Sequence, residues 1–132
     1  MPATHSFGWI RDLPDHRDIM YSSPIAPAAL PAHVDLRAGC PPVYDQGRLG
    51  SCTANAIAAA LDFDRNKQGL PFSSPSRLFI YYNERYREHT VNSDAGARIR
   101  DGIKSVGVEG APPEALWPYE IAQFEVRPPD LA

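Results

Sequence analysis

Apolar residues recur at helical spacing in three stretches of the chain. In the first, Ala54, Ile57, Ala58 and Leu61 fall at i, i+3, i+4 and i+7. They form one face of a helix predicted from about Ser51 to Lys67, with Gly69 and Pro71 as its stop. In the second, Leu78, Phe79, Tyr82 and Tyr86 make the apolar stripe, and Arg77, Glu84, Arg85 and Arg87 take the solvated side. Ser74 is its expected N-cap and Pro75 its first helical residue. In the third, Ile99, Ile103 and Val106 mark the buried face of a helix from about Gly96 to Val106, closed by Gly107. His33-Val34-Asp35-Leu36-Arg37 alternates and reads as a short strand. Residues 1–32 show no period. Phe7, Trp9, Ile10, Leu13, Ile19, Met20 and Tyr21 are scattered there among Asp, Arg and Pro, as in an arm that lies on a surface. After the third helix, Trp117-Pro118-Tyr119 reads as an aromatic anchor. The predicted fold class is α+β but mainly α: an arm (1–32), then a helical domain (33–132).

Proline supports this division. Seven of the 14 prolines lie in residues 1–42 and five in 112–132, which leaves the middle free to be helical. Length allows one domain, and 43% hydrophobic with 22% charged residues is ordinary for a globular chain. A formal charge of −3 gives no footprint for nucleic acid or an anionic membrane. No apolar run approaches the roughly 18 residues that span a bilayer. The N-terminus carries charges and prolines where a signal peptide needs an apolar core, so the default compartment is cytoplasmic, with non-classical secretion left open. Cys40 and Cys52 are too few for a disulfide scaffold and form no metal or redox motif. A reduced, buried Cys40 is the expectation, with a bridge to Cys52 the alternative. Nothing in the sequence calls for a metal or a cofactor.

The stretch DQGRLGSCTANA puts Cys52 where a glycine turn becomes a helix. Unpaired amides and the macrodipole at such a terminus favour a thiolate, the attacking form of cysteine. Gly50 lets the chain turn sharply and approach a substrate closely. Gln46 is long enough to bring an amide near Cys52, and acyl transfer needs donors aimed at the developing oxyanion. A phosphate loop is a poor reading, because GRLGS lacks the Lys-Ser/Thr that such a loop uses.

Gln46-Gly47-x-x-Gly50-Ser51-Cys52 resembles the signature around the nucleophile of papain-like cysteine peptidases. Other segments follow in the same order. Val34-Asp35-Leu36-Arg37 is similar to the family's V-D-[WL]-R segment, and Phe72-Ser73 through Tyr86 to its second helix. Gly96 to Val108 is similar to the glycine-containing segment and third helix of the cleft, and Trp117-Pro118-Tyr119 to its aromatic-Pro-Tyr turn. Residues 8–18 look like the arm of bacterial members. The resemblance implies the helical (left) domain of the papain-like fold, with Cys52 as nucleophile and Gln46 as oxyanion donor. It implies that Gly96 offers backbone hydrogen bonds to an extended peptide, and that the substrate is a peptide or protein.

Three departures accompany it. Leu49 stands where many members have a disulfide cysteine. Thr53 replaces the usual tryptophan, which implies a smaller and more polar cleft wall. The family's histidine base and its orienting asparagine come from a following β-rich domain, which is expected to be missing here. His5, His16, His33 and His89 match no catalytic histidine motif and are expected to be solvated or capping, and Asn55 has no expected orienting role. The isolated chain is therefore expected to be inactive. An exposed apolar face on the first helix is expected where the missing domain docks, and the arm is read as a short propeptide-like segment. The alternative is a degenerate, non-catalytic module that binds peptides or proteins.

Overall fold

The computed structural model describes residues 7–20, 22 and 31–130. Tyr21 and His5, both named above, lie outside the described residues, as do residues 1–4, 6, 23–30 and 131–132. Three helices pack on one another: α1 (Cys52–Lys67), α2 (Arg77–Arg87) and α3 (Ile99–Glu109). Among the described residues there is no β-strand, only two isolated bridges, Trp9 with Ala97 and Pro75 with Pro113. No helix is long and apolar enough to cross a membrane.

The core follows from small residues on α1. Ala54 and Ala58 are fully buried and Ile57 nearly so, which lets Leu78, Ile80 and Tyr81 of α2 pack close. Trp117, Tyr119, Ile121 and Phe124 pack against this cluster from the C-terminal segment, so the expected aromatic anchor is present. The α1–α2 turn is held by buried Asp62. Its carboxylate accepts from Ser73 N (2.7 Å), Ser73 Oγ (3.0 Å) and Ser74 N (3.1 Å).

Several boundaries and faces differ from expectation. Ser76, not Ser74, caps α2, its hydroxyl accepting from Phe79 N at 3.2 Å. Ser74 is committed to the Asp62 turn. Helix α2 is enclosed by α1, α3 and the C-terminal segment, so three of its four charged residues are buried, Arg77 (8% exposed), Glu84 (0%) and Arg85 (0%), while Arg87 is half-buried. Its last aromatic, Tyr86, is 62% exposed instead. Helix α3 starts at Ile99, because Gly96 sits at φ 74° and Ala97 is taken up by the arm. It continues through Gly107 and is closed by Gly110, also at φ 74°. Its buried residues are Gly102 and Ser105, whereas Ile103 is 60% exposed. Gly102 sits so close to Ile57 and to the Glu84 carboxyl that any larger residue would collide there. The alternating 33–37 segment finds no strand to pair with. It is exposed, and Arg37–Gly39 forms a 3₁₀ turn fixed by an Asp35–Arg37 pair. Cys40 is exposed, not buried, and both cysteines are free.

Glu84 carries a consequence for stability. Burial pushes its carboxyl up to about 8 from the ordinary 4.5, even though Thr53 Oγ1 donates to Oε2 at 2.8 Å. Its Oε1 has no hydrogen-bond partner. The folded state therefore holds a proton that the unfolded chain releases. The stability is fully present below pH 4.5 and is lost as pH rises to about 8, at up to about 1.4 kcal/mol per pH unit. Urea unfolding across pH 4–9 should show this decline, and Glu84→Gln should flatten it. An unchanged slope in Glu84→Gln would refute the assignment.

Candidate active site

Cys52 is the first residue of α1 and is half-buried. The loop that delivers it, residues 45–51, is held from two sides. On one side, Arg77 donates to Asp45 O at 3.2 Å and Tyr119 O–H donates to Gln46 O at 3.0 Å. Tyr119 Oη and Ser51 Oγ also meet at 2.5 Å. Arg77 is in turn fixed by a bidentate pair with Glu114 (2.9 and 2.7 Å) and lies between the rings of Tyr44 and Tyr119. Asn55 does orient something: its amide donates to Ser51 O and Oγ (2.9 and 3.1 Å) while its carbonyl accepts from Arg77. On the other side, the Asp94 carboxylate accepts the Gly50 N–H, 3.0 Å from each oxygen. Tyr119 was visible in the sequence as part of its aromatic turn. Asp94 and Arg77 had no signal, because they act on residues distant in sequence; Asn55 reaches back one turn to Ser51, but its carbonyl partner Arg77 lies 22 residues on.

The remaining expected site residues are placed as follows. Gln46 Nε2 donates to Leu49 O at 3.0 Å, inside its own loop. Gly96 N–H donates to Tyr81 Oη at 3.2 Å. Gly50 and Gly96 face each other across Gly8 of the arm: a Cβ on Gly8 would overlap Gly50 O and come within 2.7 Å of Gly96 Cα. The edge that pairs with an extended segment is the neighbouring Ala97, which donates to Gly8 O (2.8 Å) and accepts from Ile10 N (2.9 Å). Thr53 does not line a cleft wall; it is 2% exposed and points at Glu84. His16, His33 and His89 are exposed, and among the described residues no hydrogen bond links them to Cys52.

The arm does lie on a surface, but not through its large apolar groups. Trp9 is 57% and Leu13 73% exposed. Backbone pairing to Ala97 and a cluster around Arg100 hold it instead. Arg100 makes a bidentate bond to Asp18 (2.8 and 2.7 Å), lies 3.5 Å from Asp15, and donates its backbone N–H to Asp12. The Arg100 hydrogen bonds hold the Asp18 carboxyl below its usual range, and those from Arg17 do the same for Asp15.

No family model matches the chain. It is 40% identical, over 96% of its length, to an uncharacterized peptidase C1-like protein of Acanthamoeba polyphaga mimivirus, of which it covers 46%. Its structure matches that of Xylellain, a cysteine protease from Xylella fastidiosa, with a TM-score of 0.80 and 45% identity. That match covers 96% of this chain and 52% of Xylellain. The chain thus spans about half the length of the relatives it matches, and those relatives are bacterial and viral.

Proposed function

The chain belongs to the papain-like cysteine peptidase family, and from that premise we propose that it is the nucleophile-bearing half of a cysteine endopeptidase. The observation that carries this reading is Cys52, a half-buried thiol opening α1 on a loop pinned from both sides. Thiolate attack on a peptide carbonyl forms a thioester and breaks the C–N bond, the amine leaving with a proton from the partner histidine. Water then hydrolyses the thioester to the acid and frees the thiol. Gln46 and the Cys52 amide are the proposed oxyanion donors. Gly50 and Gly96 are the backbone walls against which an extended peptide or protein substrate lies. The histidine base and its asparagine come from a β-rich half, as the relatives' double length supports. That half docks on the apolar groove between the 40–44 segment and α1, lined by Pro41, Pro42, Val43, Ala59, Ala60 and Phe63. Val43 is 99% exposed there. Cleavage of a denatured protein by the chain together with its β-rich half tests the reading. Saturable binding without cleavage would favour the non-catalytic module.

The arm is proposed as a short propeptide-like strap. Gly8 fills the gap between Gly50 and Gly96, where the substrate backbone is expected. Gly8→Ala should expel it and raise peptide hydrolysis several-fold, because no Cβ fits that gap. Arg100→Ala, or high salt, should act in the same direction through screening or loss of exposed ion pairs. Unchanged rates in Gly8→Ala and on removal of residues 1–30 would refute the strap.

A further inference from the structure

Asp94 lies on the loop between α2 and α3, and its carboxylate gathers donors from two directions. Gly50 N–H reaches both oxygens at 3.0 Å, across 44 residues of sequence. Tyr81 O–H donates to Oδ1 at 2.5 Å, and Tyr81 Oη accepts the Gly96 N–H at 3.2 Å. The relay from Gly50 through Asp94 and Tyr81 to Gly96 therefore joins the two walls of the gap that Gly8 occupies. Burial, reinforced by the Asp94 hydrogen bond, holds the Tyr81 phenol well above its usual range, so it stays a neutral donor. The loop carrying Asp94 is itself held by Arg85, which donates to Val91 O (2.8 Å) and Ser93 O (3.1 Å). Both cysteines are free, so no disulfide fixes the segment that delivers Cys52. Its amide at Gly50 is fixed by a carboxylate instead.

We infer that Asp94 is a positioning residue, setting Gly50 and the start of α1 at the separation from Gly96 that reaction at Cys52 requires. The inference rests on the reading of Cys52 as nucleophile. Asp94 makes no hydrogen bond to Cys52 and acts through the Gly50 backbone. A carboxylate suits the task because Gly50 N–H lies between its oxygens while Oδ1 also takes the phenol. Asparagine keeps one acceptor oxygen; alanine keeps none.

The test uses the complete protein, with wild type, Asp94→Asn, Asp94→Ala and Tyr81→Phe compared. Asp94→Ala should lower kcat for a peptide substrate about 10–100-fold, the scale of a misplacement near 1 Å, while KM changes less than about two-fold. Its Gly50 amide should exchange hydrogen at least about 10-fold faster, with Ala58 in α1 unchanged, as expected of a local opening. Asp94→Asn should recover much of the rate, and Tyr81→Phe should fall between. An unchanged kcat, or faster exchange at Gly50 and Ala58 alike, would overturn the inference. A wild type that cleaves no peptide would instead overturn the reading of Cys52, so the two failures are told apart by the wild-type rate.

Discussion

Exchange of Cys52 for alanine is expected to lower kcat for peptide hydrolysis by the complete protein about 10⁶-fold, the scale on which loss of the attacking side chain disables a triad enzyme. The substitution removes only a sulfur atom from a half-buried position. No hydrogen bond to that sulfur is present among the described residues, so the fold has little reason to change. What disappears is the proposed nucleophile. The α1 terminus, with its unpaired amides, and the Asp94 and Tyr119 anchors of the loop all remain. Cys40→Ser is the matched control, a near-isosteric change at the rim of the proposed docking groove that keeps a donor for Leu36 O. Cys40 is exposed beside the Arg37–Gly39 turn, and its sulfur only donates weakly to Leu36 O. Progress curves with a fluorogenic peptide should show loss in the first variant and none in the second. The opposite pattern would remove Cys52 from the mechanism.

The largest effect on stability is expected at Arg85. This side chain is fully buried and donates to four backbone carbonyls: Tyr81, Val91, Ser93 and Phe124. Its guanidinium also lies 4.2 Å from the Tyr81 ring centroid and 5.0 Å from that of Phe124. One residue thus ties α2 to the loop bearing Asp94 and to the C-terminal segment. Arg85→Met fills much of the volume but leaves the Val91, Ser93 and Phe124 carbonyls without this donor. The expected loss is about 3–5 kcal/mol, or about 10–20 °C in Tm for a domain of this size. Arg85→Lys should recover only part of it, because an ammonium lacks the planar fork that reaches several carbonyls at once. Calorimetry or urea unfolding measures both variants. A loss below about 1 kcal/mol, typical of a surface change, would contradict this role.

The sequence made α1 legible almost to the residue. A glycine turn before Cys52 and Gly69 after Lys67 are local signals, and local signals survive tertiary packing. Helix α2 was legible as a helix but not in its start or its faces. Ser74 and Ser76 both stand ready to cap it, and the choice was made by Asp62, twelve residues before Ser74. Arg77, Glu84 and Arg85 look solvated by composition, yet α2 is enclosed on several sides and each finds buried partners. In α3, spacing selected large apolar residues. The contact face is instead centred on Gly102 and Ser105, with Val106 alone of the expected set packed against the core, because the Glu84 carboxyl occupies the room in front of Gly102.

The candidate site divides in the same way. Cys52 and Gln46 belong to one short motif, so both were visible at once. Asp94 was not, because nothing near it in sequence points to Gly50. The arm was legible as a surface segment, but its large apolar groups suggested the wrong agents. A glycine that fits a narrow gap and three aspartates around Arg100 hold it in place.

Cys52 is proposed as a nucleophile activated only when the β-rich half is present. Intact-mass and peptide mapping after treatment with a peptidyl epoxide test it most directly, on the complete protein and on the 132-residue chain side by side. Rapid single modification at Cys52 is expected in the complete protein, with loss of activity in proportion, much slower modification of the short chain, and no modification of Cys40. Equal rates in both proteins, or modification at Cys40 with activity retained, would contradict it.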